Sequence, residues 1–423
     1  MLGSMCSAGS AVHIMRTFLS TAENCSRTVF LLLVLSITMA TESDRKALEA
    51  VAKGNMAFTA NLYKLLRETE GNVFFSPISI EVILALAYTG ARGDTAEQMA
   101  AALQLPKDRS TLQAGFHSLM LSLKSTDSMT LEIANRIFGQ KSFPFEADFK
   151  TVAEKYFLSA AQEMNFAKEP EASRKIINQW VEERTRNKIR DLIPEGLIDS
   201  MTRMVLVNAI YFKGKWKSQF DADNTYPQPF HLSKRESKEV PMMHIKKKFG
   251  YAEREDLQAK VLVMPYVGDQ ISMVILLPDA IDGLDDLESK LDKIDMADIL
   301  QSVENVEVEV TLPRFKLETT IDLNDPLKRL GMTDMFDEEA ADFSGISKVE
   351  GLFVSKVLQK AFIEVNEEGS EAAAATATAM FYQCAFTMYP PRELKFIADH
   401  PFVFLVISET DRQVLFIGRV KTF

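Results

Sequence analysis

The sequence predicts an α+β fold in one large domain. Three observations carry this. Helix-type periodicity is concentrated in the first half of the chain, and strand-type patterns dominate the second. No repeat or low-complexity linker divides the 423 residues, and their composition is that of an ordinary globular protein.

The elements follow in order. Thr41–Glu70 reads as a helix, with Phe58, Leu62, Leu65 and Leu66 on one face. Asn72–Ile80 then reads Asn-Val-Phe-Phe-Ser-Pro-Ile-Ser-Ile. Ser76 suits the N-cap of a second helix and Pro77 its first position, and Gly90 can close it. Thr95 and Gln98 have the spacing of a capping box for the next helix. Ser173–Arg190 is helical, with Ile176, Ile177, Trp180 and Val181 facing inward. Met204–Phe212 is a nearly continuous apolar run, as in a strand buried on both faces. Ile271–Leu277 is similar. Val306, Val308, Val310 and Leu312 alternate with Glu307, Glu309 and Thr311, giving a half-exposed strand. Phe402–Ile407 and Val414–Val420 read as a closing antiparallel pair.

The formal net charge of -11 argues against non-specific binding to nucleic acid, polyanions or anionic membranes. Two local clusters, Lys246–Lys248 and Arg184, Arg186, Lys188 and Arg190, read as solvated faces. Histidine occurs only at 13, 117, 231, 244 and 400. There is no Gly-x-Ser-x-Gly, no His-Glu-x-x-His, no phosphate-binding loop and no cysteine pair of metal-ligand spacing. A hydrolase or metalloenzyme built on such a motif is therefore not expected, a dispersed triad stays open, and no metal or cofactor is expected.

Val29–Ile37 is a short apolar run after Arg27, followed by Thr38-Met39-Ala40. This has the form of a secretory signal cleaved after Ala40. It divides the chain into a leader, 1–40, and a domain, 41–423, and it predicts secretion. Translation from Met15 would give a signal of ordinary length; a start at Met39 would remove it and leave a cytosolic form. Cys6 and Cys25 fall in the leader, so the mature chain keeps Cys384 alone and no internal disulfide. The one N-glycosylation sequon, at Asn24, is also in the leader.

The most informative segment is Glu364–Met380. From Gly369 to Tyr389 the only charged side chain is Glu371, and the first proline is Pro390. A proline-free segment keeps every backbone N–H and can join a sheet interior. As a strand it would place Ser370, Ala372, Ala374, Thr376, Thr378 and Met380 on one face. Glu371, Ala373, Ala375, Ala377, Ala379 and Phe381 would take the other. The first face is small and uncharged near its start. Four consecutive alanines also suit a short helix or a linker. Against a helix stand Gly369, which admits unusual backbone angles, and Phe381–Met388, which lacks helical periodicity.

Several separated blocks resemble the serpin family: Asn72–Met99, Leu206–Trp216, Leu312–Lys316, Glu364–Ala375 and Phe396–Phe404. The resemblance spans Ala47–Phe423. It implies a serpin fold, with helices on a large central sheet and an exposed reactive-centre loop at about 367–391. It assigns Glu367, Glu368, Gly369, Ser370 and Ala372, Ala373, Ala374 and Ala375 to the loop hinge. Ser76 and Asn208 resemble the polar shutter behind the sheet, and Trp216 the aromatic at its upper breach. Where many serpins carry histidine before the Lys-Ala block, this chain has Gln359, which keeps hydrogen bonding but loses pH sensitivity.

The resemblance implies suicide-substrate inhibition of a serine protease. The protease forms an acyl-enzyme on the loop, and insertion of the cleaved loop into the sheet then stops deacylation. Family spacing from Gly369 places the scissile bond at Gln383-Cys384, with Tyr382-Gln383 and Cys384-Ala385 as alternatives; counting back from the distal block favours sites nearer Thr387. No Lys or Arg lies between Lys360 and Arg392. A chymotrypsin-like or elastase-like target is therefore expected rather than a trypsin-like one, and Gln383 leaves cysteine proteases open. A non-inhibitory carrier or chaperone is the competing reading, against which the small hinge residues stand. The segment matching the heparin-binding helix, Leu112–Lys124, carries only Lys124 and His117, so heparin activation is not expected. The chain reads as a monomer, with Cys384 open to oxidation or a mixed disulfide.

Overall fold

The computed structural model describes residues 27–123, 129–291, 296–369, 393–410 and 412–423. Its fourteen strands are β1 (Val73–Phe75), β2 (Met129–Gln140), β3 (Ala160–Met164), β4 (Met204–Gly214), β5 (Thr225–Ser233), β6 (Glu236–Arg254) and β7 (Ala259–Pro265), then β8 (Ile271–Pro278), β9 (Glu304–Pro313), β10 (Phe315–Asp322), β11 (Val354–Val365), β12 (Leu394–Ile397), β13 (Phe402–Ser408) and β14 (Val414–Val420). They form two sheets. The nine-stranded one runs β1-β14-β13-β8-β7-β6-β9-β12, with β5 added on β6; the five-stranded one runs β10-β11-β4-β2-β3. The predicted α+β architecture and the closing β13–β14 pair are both present.

Within the five-stranded sheet, β4 is buried on both faces, as its unbroken apolar run requires. Met204, Leu206, Ile210 and Phe212 join the main core beneath the Pro77–Gly90 helix. The intervening Val205, Val207, Ala209 and Tyr211 enter a second core with Ile177 and Val181. The centre of this sheet is unusual. β4 and β11 are hydrogen-bonded directly and in parallel, from Met204↔Val354 to Phe212↔Ile363, while β2 and β10 flank them antiparallel.

Several local expectations are corrected. The first helix runs unbroken over Arg27–Leu66, through the predicted cleavage point at Ala40, and stops short of Glu70. No helix among the described residues is long and apolar enough to cross a membrane. Ser76 caps the Pro77–Gly90 helix as expected, its hydroxyl accepting from Ser79 N. Gly90 is the last residue of that helix, as expected, and Ala91 follows in extended backbone. Glycine is needed there for space: a Cβ on Gly90 would sit 2.2 Å from Ile346 Cγ1.

Thr95 and Gln98 form no capping box, because the helix starts at Gly93, with Arg92 at the cap. They hold a distant segment instead. Thr95 Oγ1 accepts from Asp342 N at 3.0 Å, and Gln98 Oε1 accepts from the backbone of Thr333 and Asp334.

The predicted 173–190 helix spans Pro170–Arg184. Asn178 then brackets the return of the chain, donating to Ile193 O and accepting from Ile193 N, both at 2.9 Å. Ile177 and Val181 point inward, but Ile176 is 49% exposed. Thr311, assigned to an exposed face, is buried, with its hydroxyl 3.0 Å from His244 Nδ1. The basic clusters are partly neutralised: Arg186 pairs with Glu132, Arg190 with Glu182, and Lys246 with Glu393.

Candidate functional site

Six of the predicted site residues gather at two places along the β4–β11 seam, Ser76 and Asn208 at one and Trp216, Glu367, Glu368 and Gly369 at the other. The first lies at mid-strand. Asn208 and Gln359 are register partners across the parallel pair. Both side chains turn to the face under the Pro77–Gly90 helix, where water is excluded and every polar group must find a partner.

Gln359 Oε1 accepts from Ser76 N at 3.0 Å, and Gln359 Nε2 donates to Ser76 O at 2.9 Å and to Asn208 Oδ1. Asn208 Nδ2 donates to Ser79 O at 3.1 Å and contacts Ser79 Oγ and Asn135 Oδ1 closely. Ser76 Oγ donates to Leu415 O in β14 at 2.6 Å. One buried network thus ties the helix start, β2, β4, β11 and β14 together. It brings the predicted Ser76 and Asn208 to one place, and Gln359 does there what an amide can do.

Ser79 and Asn135 were missing from the sequence reading. Ser79 was findable, lying one turn beyond the Ser76 cap. Asn135 was not, because its role depends on the β2–β4 register, Asn135↔Asn208.

The second lies at the top of the sheet. Trp216 is buried and stacks on Tyr266, with centroids 4.4 Å apart and planes at 13°. Its indole Nε1 donates to Asn366 O at 2.9 Å and its backbone N to Glu368 O at 2.8 Å. Phe220 N donates to Glu367 O at 2.9 Å. The Glu367 carboxylate accepts from Thr225 Oγ1 at 2.7 Å and from Arg314. Burial works to raise the Glu367 pKa, but the bonds from Arg314 and Thr225 outweigh it and hold the carboxyl below its usual range.

Gly369 is the last described hinge residue. It forms a tight turn with Asn366 and an antiparallel bridge with Lys215, immediately beyond β4. Its φ is +122°, and a Cβ would lie 2.1 Å from Gly214 O. Only glycine fits, both by backbone angle and by space. Ser370, Ala372–Ala375, Tyr382, Gln383, Cys384 and Ala385 lie outside the described residues.

Comparison with known proteins agrees with this geometry. The family model described as "Serpin (serine protease inhibitor)" matches residues 53–422. The chain is 43% identical to the leukocyte elastase inhibitor of Bos taurus over 384 residues, covering 89% of this chain and all of that protein. It is 43% identical to serpin B6 of Macaca fascicularis over 381 residues, with the same coverage. Among solved structures, Serpin48 of the insect Tenebrio molitor superposes with a TM-score of 0.79 at 35% identity, covering 88% of this chain and 98% of that one. The sheet, the seam, the hinge and these likenesses agree: this chain belongs to the serpin family.

Proposed function

We propose that this protein is a suicide-substrate inhibitor of serine endopeptidases that traps its target by inserting its cleaved loop between β4 and β11. The observation that carries this reading is the Lys215↔Gly369 bridge. The chain leaving β11 has already reversed and begun an antiparallel pairing at the end of β4. Continuing that register keeps the sum of partner numbers constant. Ser370 would then meet Gly214, Ala372 Phe212, Ala374 Ile210, Thr376 Asn208, Thr378 Leu206 and Met380 Met204. These are the residues of β4 that face the main core and the shutter. The uncharged side of the loop would therefore enter the buried layer, with the Thr376 hydroxyl arriving where Asn208 must give up Gln359. Glu371 would meet Lys213 on the other face. Insertion would replace one parallel ladder by two antiparallel ones, the more stable pairing.

In this mechanism the protease serine oxygen bonds to the scissile carbonyl carbon, and the C–N bond breaks. The amine leaves with a proton from the protease's general acid, as the new N-terminus of the C-terminal fragment. The freed hinge inserts, and the acyl-enzyme is stranded with its oxyanion hole distorted. The scissile bond is proposed at Gln383-Cys384, with the adjacent bonds as alternatives. Lack of a basic residue there, and relatives named for leukocyte elastase inhibition, support an elastase-like or chymotrypsin-like target. The protein acts as a monomer without heparin, and oxidation of Cys384 weakens inhibition.

Incubation with elastase, chymotrypsin, trypsin and papain tests this. An SDS-resistant complex with elastase or chymotrypsin, releasing a fragment that begins at Cys384, is expected. Turnover by every protease without a complex would refute the inhibitor reading in favour of a non-inhibitory one. For residues 1–40 we propose removal as a secretory signal, with a Met39 start giving a cytosolic form. N-terminal sequencing of secreted and cellular protein decides this, and a single species starting at Met1 would contradict both.

A further inference from the structure

Insertion between β4 and β11 requires the two strands to part, and the contacts that cross this seam decide how readily they do. Two side-chain contacts across it stand out, one on each face. The amide pair Asn208–Gln359 lies on the face under the Pro77–Gly90 helix. On the opposite face, in the second core, the register partners Tyr211 and Phe362 meet ring to ring, with centroids 5.5 Å apart and planes at 58°. Both side chains are buried. They are the only aromatic pair among the register partners of β4 and β11.

The position of this pair matters as much as the contact. The chain beyond β11 reaches β4 at the Lys215↔Gly369 bridge, and the β4–β11 ladder ends just below it at Phe212↔Ile363. Tyr211↔Phe362 is the next rung, and Asn208↔Gln359 lies three rungs further on. A strand entering from the hinge therefore meets the rings before it meets the shutter. In the proposed register Ala373 falls opposite Tyr211. With a strand between them, β4 and β11 stand about 9.5 Å apart, two strand spacings. The rings are then beyond the separation of about 7 Å within which aromatic pairs interact. Lys316 Nζ sits over the Phe362 ring at 4.8 Å, but Lys316 is on β10, on the β11 side of the seam, so insertion leaves that contact in place. The ring pair, by contrast, exists only while the seam is closed.

We infer that Tyr211 and Phe362 are positioning residues for loop insertion: their ring contact holds the upper β4–β11 seam closed until the cut loop arrives, and so sets the rate at which the loop enters. The inference rests on the insertion reading above and adds to it the residues that time the step. A contact made in the closed seam and lost in the inserted state slows entry by up to the factor that its loss costs. For an aromatic pair that factor is about two- to tenfold. Slower entry leaves an acyl-enzyme longer to hydrolyse, so the pair also shifts the balance between trapping and turnover.

The test is stopped-flow fluorescence of the full chain cut by saturating papain. Trp216 is the reporter, because its indole donates to Asn366 O beside the hinge. Quenched-flow gels time the cut within residues 370–392, so the fluorescence phase that follows the cut is insertion. Papain makes the test independent of whether a serine protease is trapped. Phe362→Leu and Tyr211→Leu each insert about two- to tenfold faster than the unaltered protein, and the double variant inserts no faster than the quicker single one. Phe138→Leu removes a ring of the same core, on β2 and outside the seam, where it packs edge-on against Trp180. It leaves the rate unchanged. An unchanged rate in Phe362→Leu, or an equal acceleration by Phe138→Leu, overturns the inference and leaves insertion standing. Absence of an insertion phase in the unaltered protein overturns both. Leucine keeps each site apolar and thermal melting checks folding; should one seam variant fail to fold, the other carries the test.

Discussion

Replacing Gln359 by alanine tests whether the shutter holds β4 against β11. Gln359 spends both ends of its amide on partners that are fully buried. Truncation leaves two groups without a partner: the Ser76 N–H and the Asn208 carbonyl oxygen. Ser76 O is less affected, because Ile80 N also donates to it at 3.3 Å. Each stranded buried group costs about 1–3 kcal/mol, and the lost side-chain volume adds a cavity term. A loss of roughly 3–5 kcal/mol follows, large against a typical total of about 5–15 kcal/mol. Urea unfolding followed by fluorescence and circular dichroism measures it. Asn208→Ala and the double variant complete a cycle. Because the two side chains share a bond, the double loss should fall short of the sum by about 1–2 kcal/mol. A Gln359→Ala loss below about 1 kcal/mol, or strict additivity with Asn208→Ala, would refute the argument.

Three further outcomes follow from named contacts. Glu367 has a depressed pKa in the fold, so its contribution is present above the ordinary carboxylate pKa and is lost as pH falls through the lowered value. Glu367→Gln should therefore lower the melting temperature at neutral pH by a margin that shrinks as pH falls below the ordinary carboxylate range, and a pH-independent difference would contradict the anchor. Glu81 has the opposite sign. It is buried with Asn55 Nδ2 donating at 2.7 Å, and burial pushes its carboxyl well above the usual range despite that bond. Stability is then lost as pH rises above the ordinary carboxylate range toward the raised value, and Glu81→Gln should stabilise the protein by a margin that grows with pH over that interval; a constant margin would count against it. Ala374→Arg would bury a guanidinium opposite Ile210, a cost of several kcal/mol that converts the inhibitor into a substrate, whereas Glu371→Ala should still form the protease complex. Equal complex yields for both variants would sink the proposed register.

The sequence readily disclosed features whose cause is local. Ser76-Pro77 marks a helix start because both residues act on their own backbone, and the apolar runs of β4 and β8 mark strands because burial on both faces leaves no polar position. Features made by distant partners stayed hidden. Thr95 and Gln98 looked like a cap, yet their bonds go to Thr333, Asp334 and Asp342. Glu81 carries no outward sign that its helix turns it into the core. The hinge itself was half legible. Gly369 stood out by type, but its bridge to Lys215 and the anchoring of Glu367 by Arg314 need the assembled sheet.

In the proposed mechanism the cleaved loop inserts between β4 and β11. The most direct measurement is the melting temperature of the protein after a single cut within residues 370–392, compared with the intact chain. Insertion predicts that the cut form melts far above the intact one and resists denaturant that unfolds the intact protein. A cut form that melts at or below the intact temperature would contradict it.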